Sequence, residues 1–270
     1  MQTTQLQVPD RELPLRPSSE FDGRDPASLL PPTPNLVDIS VLVPAHNEEV
    51  TITACVEGAV RTLDRRRLRF EIIVIDDGST DATGARALAA AQNDGGRIRV
   101  MRRYSRFGKG AALRDGAASA KGTIVVILDA DMEYAPEELT RVVEPIIEGR
   151  CDVVFGSRFI GDHDGMKISH FLGNRILTKA TNTLYHGQLT DVMTGYKAFR
   201  LSAFNGLKVD DGGFGFEVEA AARALQAGLE IEEVPISYHR RSAGQSKIHW
   251  VDGLRCLLRL FQMKWFDREA

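Results

Sequence analysis

From residue 38 onward, short runs of continuous valine and isoleucine alternate with longer stretches whose apolar residues recur every third or fourth position. Continuous apolar runs suit strands buried on both faces, and the longer spacing suits amphipathic helices. The pattern predicts a strand over 39–43, followed by a helix that places Ile52, Cys55, Val56, Ala59, Val60 and Leu63 on one face. It returns as a strand over 70–75, a helix after Ser79 or Thr80, a strand over 98–101, a helix over 110–120 and a strand over 123–128. Pro136 suits a first helical turn, Leu139, Val142, Val143, Ile146 and Ile147 share a face, and Pro145 is expected to kink that helix. A strand over 152–155 follows. Repeated βα units require right-handed crossovers, so the fold class is α/β: a mostly parallel, Rossmann-like central sheet with helices on both faces.

Beyond Gly156 the pattern is mixed, with a helix near 168–185, a short alternating strand over 196–200, a helix over 217–229 and a strand over 231–238. The last segment, 249–270, puts Leu257, Leu258, Leu260, Phe261 and Trp265 on one side of a helix and Arg255, Arg259 and Gln262 on the other. A core-packing terminal helix is the favoured reading, and a helix lying at an anionic lipid interface is the sharper one. Residues 1–36 hold seven of the eleven prolines and no useful periodicity, and are read as an extended or disordered leader before a 37–248 domain.

The 270 residues suffice for one large α/β domain. A net charge of -3 gives no global basic field, so nucleic-acid binding is disfavoured and an anionic ligand must be met by local clusters. Cys55, Cys151 and Cys256 are far apart among apolar neighbours, with neither zinc nor disulfide spacing, which fits a reducing cytoplasmic compartment. No eighteen-residue apolar run and no signal-peptide pattern occurs, so the sequence predicts neither a membrane span nor secretion by that route.

Chemistry gathers at three predicted strand ends. The apolar run 124–128 leads abruptly into Asp129-Ala130-Asp131-Met132-Glu133. Ligands of open α/β sheets bind beyond the carboxyl ends of strands, and two acids two residues apart can both reach one hard cation, Mg2+ or Mn2+. The first strand ends in Pro44-Ala45-His46-Asn47-Glu48-Glu49 and the second in Asp76-Asp77-Gly78-Ser79-Thr80-Asp81, so a nucleotide could lie across both. Carboxylates there can accept hydrogen bonds from a base or a ribose, and Gly78 lets the backbone turn and come close. Helix capping by Asp77, Ser79 or Thr80 would explain any one of these residues, but not acids at three strand ends. Gly108-Lys109-Gly110 lacks the full phosphate-loop spacing, yet Lys109 at a helix start can meet a phosphate. Asp115 either holds a ribose or pairs with a neighbour. His46, His170, His239 and His249 lack metal-ligand spacing and are read as surface or packing residues. Glu219 is expected to face solvent or a cation on its own helix, and Arg103 and Arg106 either touch substrate or lie in a solvated loop.

In order, Val-Pro-Ala-x-Asn-Glu-Glu from Val43, Asp-Asp-Gly-Ser-Thr-Asp from Asp76, Gly-Lys-Gly-Ala-Ala-Leu from Gly108 and Asp-Ala-Asp from Asp129 resemble family 2 glycosyltransferases of the GT-A fold, over about residues 39–248. Gly156-Ser157-Arg158-Phe159, the run from Asp191 to Arg200, and Gly213-Phe214-Gly215-Phe216-Glu217 make the chain most similar to dolichyl- or polyprenyl-phosphate mannose or glucose synthases. The resemblance implies an inverting, metal-dependent transfer of a hexose from a nucleoside-diphosphate sugar to a polyprenyl phosphate. By it, Asp129 and Asp131 bind metal, Glu133 stands where the family often has glutamine, and Arg241-x-x-Gly-x-Ser-Lys247 closes over the phosphates. Pro44, Ala45, Asn47, Glu48, Asp76, Asp77, Lys109, Asp115, Asp129 and Ala130 are the candidate donor contacts. A cation with Arg158, Arg241 and Lys247 would neutralise the leaving group. A lipid-phosphate acceptor needs no strong base, and Arg158 and Arg175 would orient it. A glycan or metabolite hydroxyl would need Asp191 or Glu217 as base. A nucleotidyltransferase or a sugar-nucleotide-binding module is the reading from another class. A homo-oligomer and a peripheral contact with the cytosolic membrane face complete the expected partners.

Overall fold

The structure, a computed structural model, describes residues 37–162, 166–213, 215–239 and 250–266. The predicted leader and the 241–247 segment, with Arg241 and Lys247, lie outside the described residues, as does His249. One seven-stranded sheet has the order β3-β2-β1-β4-β6-β5-β7. Its strands are β1 (Ile39–Ala45), β2 (Phe70–Asp76), β3 (Ile98–Arg102), β4 (Ile124–Ile127), β5 (Val153–Asp162), β6 (Lys197–Arg200) and β7 (Ile231–Ser237). β1 is parallel to β2 and β4, β2 to β3, and β5 to β7, while β6 is antiparallel to both β4 and β5.

The helices are α1 (Ile52–Arg65), α2 (Thr83–Gln92), α3 (Lys109–Ser119), α4 (Leu139–Ile147), α5 (Ile168–Tyr185), α6 (Leu201–Leu207), α7 (Phe216–Gln226) and α8 (Trp250–Trp265). Side chains alternate across a strand, so one run feeds two cores. Val41, Val43, Ile72, Val74 and Val126 pack with Cys55, Leu63 and Val142 of α1 and α4. Leu42, Ile73, Ile75, Val125 and Ile127 pack on the other face with Leu113, Leu177, Phe204, Val218 and Leu260, drawn from α3 and α5 to α8. The continuous valine and isoleucine runs are therefore buried on both sides. All three cysteines are buried and free. Among the described residues no helix is long and apolar enough to cross a membrane.

Three elements differ from the sequence reading. β5 runs to Asp162, far beyond the expected 152–155, because its later residues pair with β7 although their sequence is not continuously apolar. α6 was not expected; it is seven residues long and buries only Phe204 and Leu207, too few for a period to register. Pro145 sits in the last turn of α4, so the helix simply ends at Ile147.

The reversal of β6 matters most for the site. Its register sets Lys197 opposite Ile127 and Arg200 opposite Ile124, so the strand begins where β4 ends. The segment 190–196 is thereby delivered to the carboxyl edge of the sheet, beside the acids.

Candidate active site

The loops after β1 and β2 interlock. The Asn47 N–H donates to Ser79 Oγ at 3.0 Å and Asn47 Oδ1 accepts from the Thr80 N–H at 2.9 Å. The Glu48 N–H donates to Thr83 Oγ1 at 2.8 Å and Glu49 Oε2 accepts from the Ala82 N–H at 3.1 Å. Asn47 and Met132 both hold positive φ, 55° and 62°, an unfavourable backbone state of the kind that gathers at functional sites. Gly78 has φ 69°, and a Cβ there would lie 2.5 Å from the backbone carbon of Ser105, so the turn needs glycine.

Asp77, Ser79 and Thr80 do not occupy the N-cap of α2, which is Ala82. Instead Asp76, fully buried, accepts from the Ser79 N–H and from Arg102 Nε, each at 3.0 Å. Asp77 accepts from the Phe107 N–H at 2.9 Å, the Gly108 N–H at 2.7 Å and Arg103 Nη1 at 3.0 Å, so it anchors the loop leading to Lys109. Asp115 takes the second of its two expected roles, pairing with Arg103 at 3.0 Å through Nε. Arg103 thus lies in neither a solvated loop nor a free substrate position. His46 Nδ1 is 2.8 Å from the Asp77 carbonyl, a packing role. Pro44 is half-buried, Ala45, Glu48 and Ala130 are buried, and Asn47 is exposed at the rim.

Asp129 leaves β4 half-buried, with Lys109 Nζ 2.7 Å from Oδ1 and 2.8 Å from Oδ2. Asp131 Oδ1 accepts from the Glu133 N–H at 3.1 Å. Glu133 is hydrogen-bonded by the Tyr238 hydroxyl. Among the described residues no three His, Cys, Asp or Glu side chains converge closely enough to hold a metal ion, so Asp129, Asp131 and Glu133 do not form a ready-made three-ligand cluster. The donor chemistry still fits a hard divalent cation, because such ions are commonly held by one or two carboxylates, with substrate phosphates and water completing the shell. Asp129 and Asp131, just beyond the end of β4, offer such a pair.

On the far side of Asp129 lies the segment delivered by β6. Asp191, with no exposed surface, grips Arg158 through Nε at 2.6 Å and Nη2 at 2.8 Å, and also accepts the Arg158 N–H at 3.2 Å. The Arg158 guanidinium lies 6.0 Å from the Phe159 ring centre and that of Arg175 5.4 Å from it, so the two expected phosphate-orienting arginines share one aromatic platform. Glu217 is buried between two lysines: Lys109 Nζ is 2.8 Å from Oε1, without hydrogen-bond alignment, and Lys197 Nζ donates to Oε2. Burial opposes charge on Lys109 and on Glu217, but their opposite partners outweigh it, holding the lysine above and the glutamate below its ordinary range. Burial wins at Lys197, whose pKa falls despite Glu217.

Asp191 and Glu217, the expected candidates for a general base, are both engaged by cations. Asp191 is buried against Arg158, and Glu217, held between Lys109 and Lys197, has its pKa below the ordinary range. Lys197, Glu233 and Tyr134 escaped the sequence reading. Lys197 left one signal, a lysine alternating with Phe199 in a strand otherwise built for burial. Glu233 accepts from the Thr190 N–H and the Asp191 N–H at 2.9 and 3.1 Å, and the Gly195 N–H donates to the Tyr134 hydroxyl at 3.1 Å.

A twisted sheet of this order, interlocked loops at the first two strand ends, and an acidic pair at the fourth define a GT-A nucleotide-sugar-handling fold. Residues 40–207 match Glycosyl transferase family 2, and the chain belongs to that family. It is 32% identical to the polyprenol monophosphomannose synthase of Mycolicibacterium smegmatis, over 84% of this chain and 85% of that one. It is 26% identical to the dodecaprenyl-phosphate galacturonate synthase of Rhizobium johnstonii, over 86% of this chain and 68% of the other. Among solved structures it resembles the glucosyl-3-phosphoglycerate synthase of Mycobacterium tuberculosis in complex with Mg2+ and uridine diphosphate, with TM-score 0.65 and 26% identity, covering 84% of this chain and 79% of that one. The chain is a glycosyltransferase.

Proposed function

We propose that the chain transfers a hexose, with inversion, from a nucleoside-diphosphate sugar to the phosphate of a polyprenyl phosphate. The observation that carries the acceptor is the pair Arg158 and Arg175 on the Phe159 ring, with both nearby carboxylates, Asp191 and Glu217, tied to cations. An ionised phosphate needs orientation and charge, not deprotonation, and a planar guanidinium supplies both. The relatives that act on polyprenyl phosphates support this reading.

Asp129 and Asp131 would hold a magnesium or manganese ion, which when bound supplies Lewis-acid neutralisation of the departing diphosphate. Lys109 adds a fixed cation beside it. The strand-end loops around Asn47, Glu48 and Asp77 form the nucleoside wall, and Ala130 stands between the two acids in the chain. Arg241 and Lys247 are assigned to closure over the phosphates on sequence grounds.

The acceptor's lipid tail calls for contact with the cytosolic face of a membrane. α5 exposes Ile168, Leu172 and Ile176, and α8, which packs on it, exposes Leu254, Leu258, Phe261 and Trp265. Exposed apolar faces of this kind, on helices that also expose Lys179 and Arg255, are suited to a surface with anionic lipid headgroups.

An acceptor panel tests the reading. With a nucleotide sugar and Mn2+, a polyprenyl phosphate should be glycosylated, whereas phosphoglyceric acid and free glycans should not. Preferential turnover of phosphoglyceric acid, or of a sugar hydroxyl, would overturn the choice of acceptor.

A further inference from the structure

Lys197 is a cation with no exposed surface, and its ammonium donates to the Val192 carbonyl at 3.1 Å, to the Thr194 carbonyl and to Glu217 Oε2, above the Phe155 ring at 4.8 Å. All three of its N–H donors are therefore committed inside the protein. Glu217 in turn faces Lys109, and Lys109 holds both oxygens of Asp129. Four side chains of alternating sign, Asp129, Lys109, Glu217 and Lys197, thus form one neutral row beneath the site. They come from the end of β4, the start of α3, the start of α7 and the start of β6.

Stability is a poor explanation for such a row. Burying ions costs several kcal/mol each, and well-packed apolar residues generally do as well or better. What the row does possess is two functional ends. One is Asp129, on the donor side. The other is the irregular segment 191–195, pinned by Lys197 at two carbonyls, whose first residue, Asp191, aims Arg158. The two ends also touch directly: a Cβ on Gly195 would fall 2.1 Å from Asp129 Oδ2 and 3.0 Å from Lys109 Nζ.

We infer that Lys197 and Glu217 are positioning residues that fix the donor-side carboxylate Asp129 and the acceptor-side cation Arg158 at one set distance, through Lys109 and the 191–195 segment. The inference rests on the proposed transfer to a phosphate acceptor. In-line displacement requires both reactants to be held in near-attack geometry, and a misplacement of about 1 Å can cost about 100-fold in rate. A row of rigid ion pairs sets such a distance, whereas lone flexible side chains would not.

The double variant Lys197→Met/Glu217→Gln removes one charge of each sign, leaving Asp129 and Lys109 paired. It should melt within a few degrees of the wild type and bind the nucleoside diphosphate with Mn2+ within about threefold by calorimetry, yet transfer to polyprenyl phosphate at least about 100-fold more slowly. Gly195→Ala keeps every charge and inserts one methyl group between the two ends. Because that methyl displaces Asp129 itself, the variant is read as the rate at saturating nucleotide and Mn2+, which should fall at least about 100-fold, and it supplies the reading should the double variant not fold. Transfer at the wild-type rate in Gly195→Ala or in the folded double variant overturns the inference. So does a fall in the double variant's nucleotide affinity that matches its fall in rate, since the row would then serve the donor pocket alone. A wild-type protein that transfers nothing to the phosphate acceptor counts against the proposed function instead.

Discussion

Arg158 shows how much one side chain's surroundings decide. A buried guanidinium held through Nε and Nη2 by one carboxylate keeps its plane fixed, and a lysine cannot reproduce that fork. Arg158→Lys should therefore lower kcat/KM for the acceptor at least about tenfold while nucleotide affinity stays within about twofold, measured by initial rates and calorimetry. Asp115 gives the opposite expectation. Because its carboxylate is taken up by Arg103 and is half exposed, Asp115→Asn should leave nucleotide affinity within about twofold, the size of effect a surface ion pair has. The acids at the strand ends were legible in the sequence because an apolar run stops abruptly at each of them. Their partners were not, since Lys109 meets Glu217 across more than a hundred residues, a pairing no local pattern encodes. The same holds for Asp191: its identity could be read, its ion pair with Arg158 could not.

Helices α7 and α8 are joined by Glu219, which the sequence led one to expect facing solvent or a cation on its own helix. Glu219 has no exposed surface; it accepts from Arg223 at 2.7 Å and from Arg259 at 3.0 Å, and it receives the N–H groups of Asp210 and Asp211, each at 3.1 Å. The cation on its own helix was expected, but the burial and the bond to α8 were not. Removing one partner of a buried ion pair costs about 3 kcal/mol or more, so Glu219→Ala should lower the melting temperature by several degrees. Burial pushes the Glu219 carboxyl up, but the bonds from Arg259, the Asp210 N–H and Arg223 outweigh it and hold the pKa below the ordinary value. The stabilisation is then fully present above the ordinary carboxylate pKa, about 4.3, and is lost as pH falls through the lower folded value. The melting-temperature gap between wild type and Glu219→Gln should accordingly be constant near neutrality and shrink in acid. Strands with continuous valine and isoleucine were readable, as was α5 at its full length of 168–185. β6 could be seen as a strand, yet its reversed direction follows from pairing with β4 and β5, which a four-residue stretch does not reveal.

Taken whole, the molecule concentrates its chemistry at one edge of the sheet and a bare apolar stripe on α5 and α8. The sequence separated the two readings of the last helix poorly because α8 is apolar on two sides: Cys256, Leu260 and Met263 are buried, while Leu254, Leu258, Phe261 and Trp265 are exposed. One face packs in the core and the other has the character of an interface. Each exposed leucine or tryptophan that enters an apolar phase contributes about 1.5–3 kcal/mol. The variant Leu258→Glu/Trp265→Glu should thus sediment with anionic vesicles at least about tenfold less than the wild type, while keeping its turnover of a short-chain, water-soluble polyprenyl phosphate. Equal sedimentation would assign that stripe to something other than lipid, a second copy of the chain among the options.

Asp129 and Asp131 are held to grip a cation against the diphosphate of a nucleotide sugar, and product analysis probes that most directly. Wild-type protein given a nucleotide sugar, Mn2+ and a polyprenyl phosphate should release nucleoside diphosphate in step with glycolipid. Chelation of the metal should stop it, and Asp131→Asn should cut it by at least about 100-fold, the scale expected for losing charge stabilisation of a leaving group. Undiminished turnover in Asp131→Asn, or pyrophosphate released from a nucleoside triphosphate in place of nucleoside diphosphate, would contradict it.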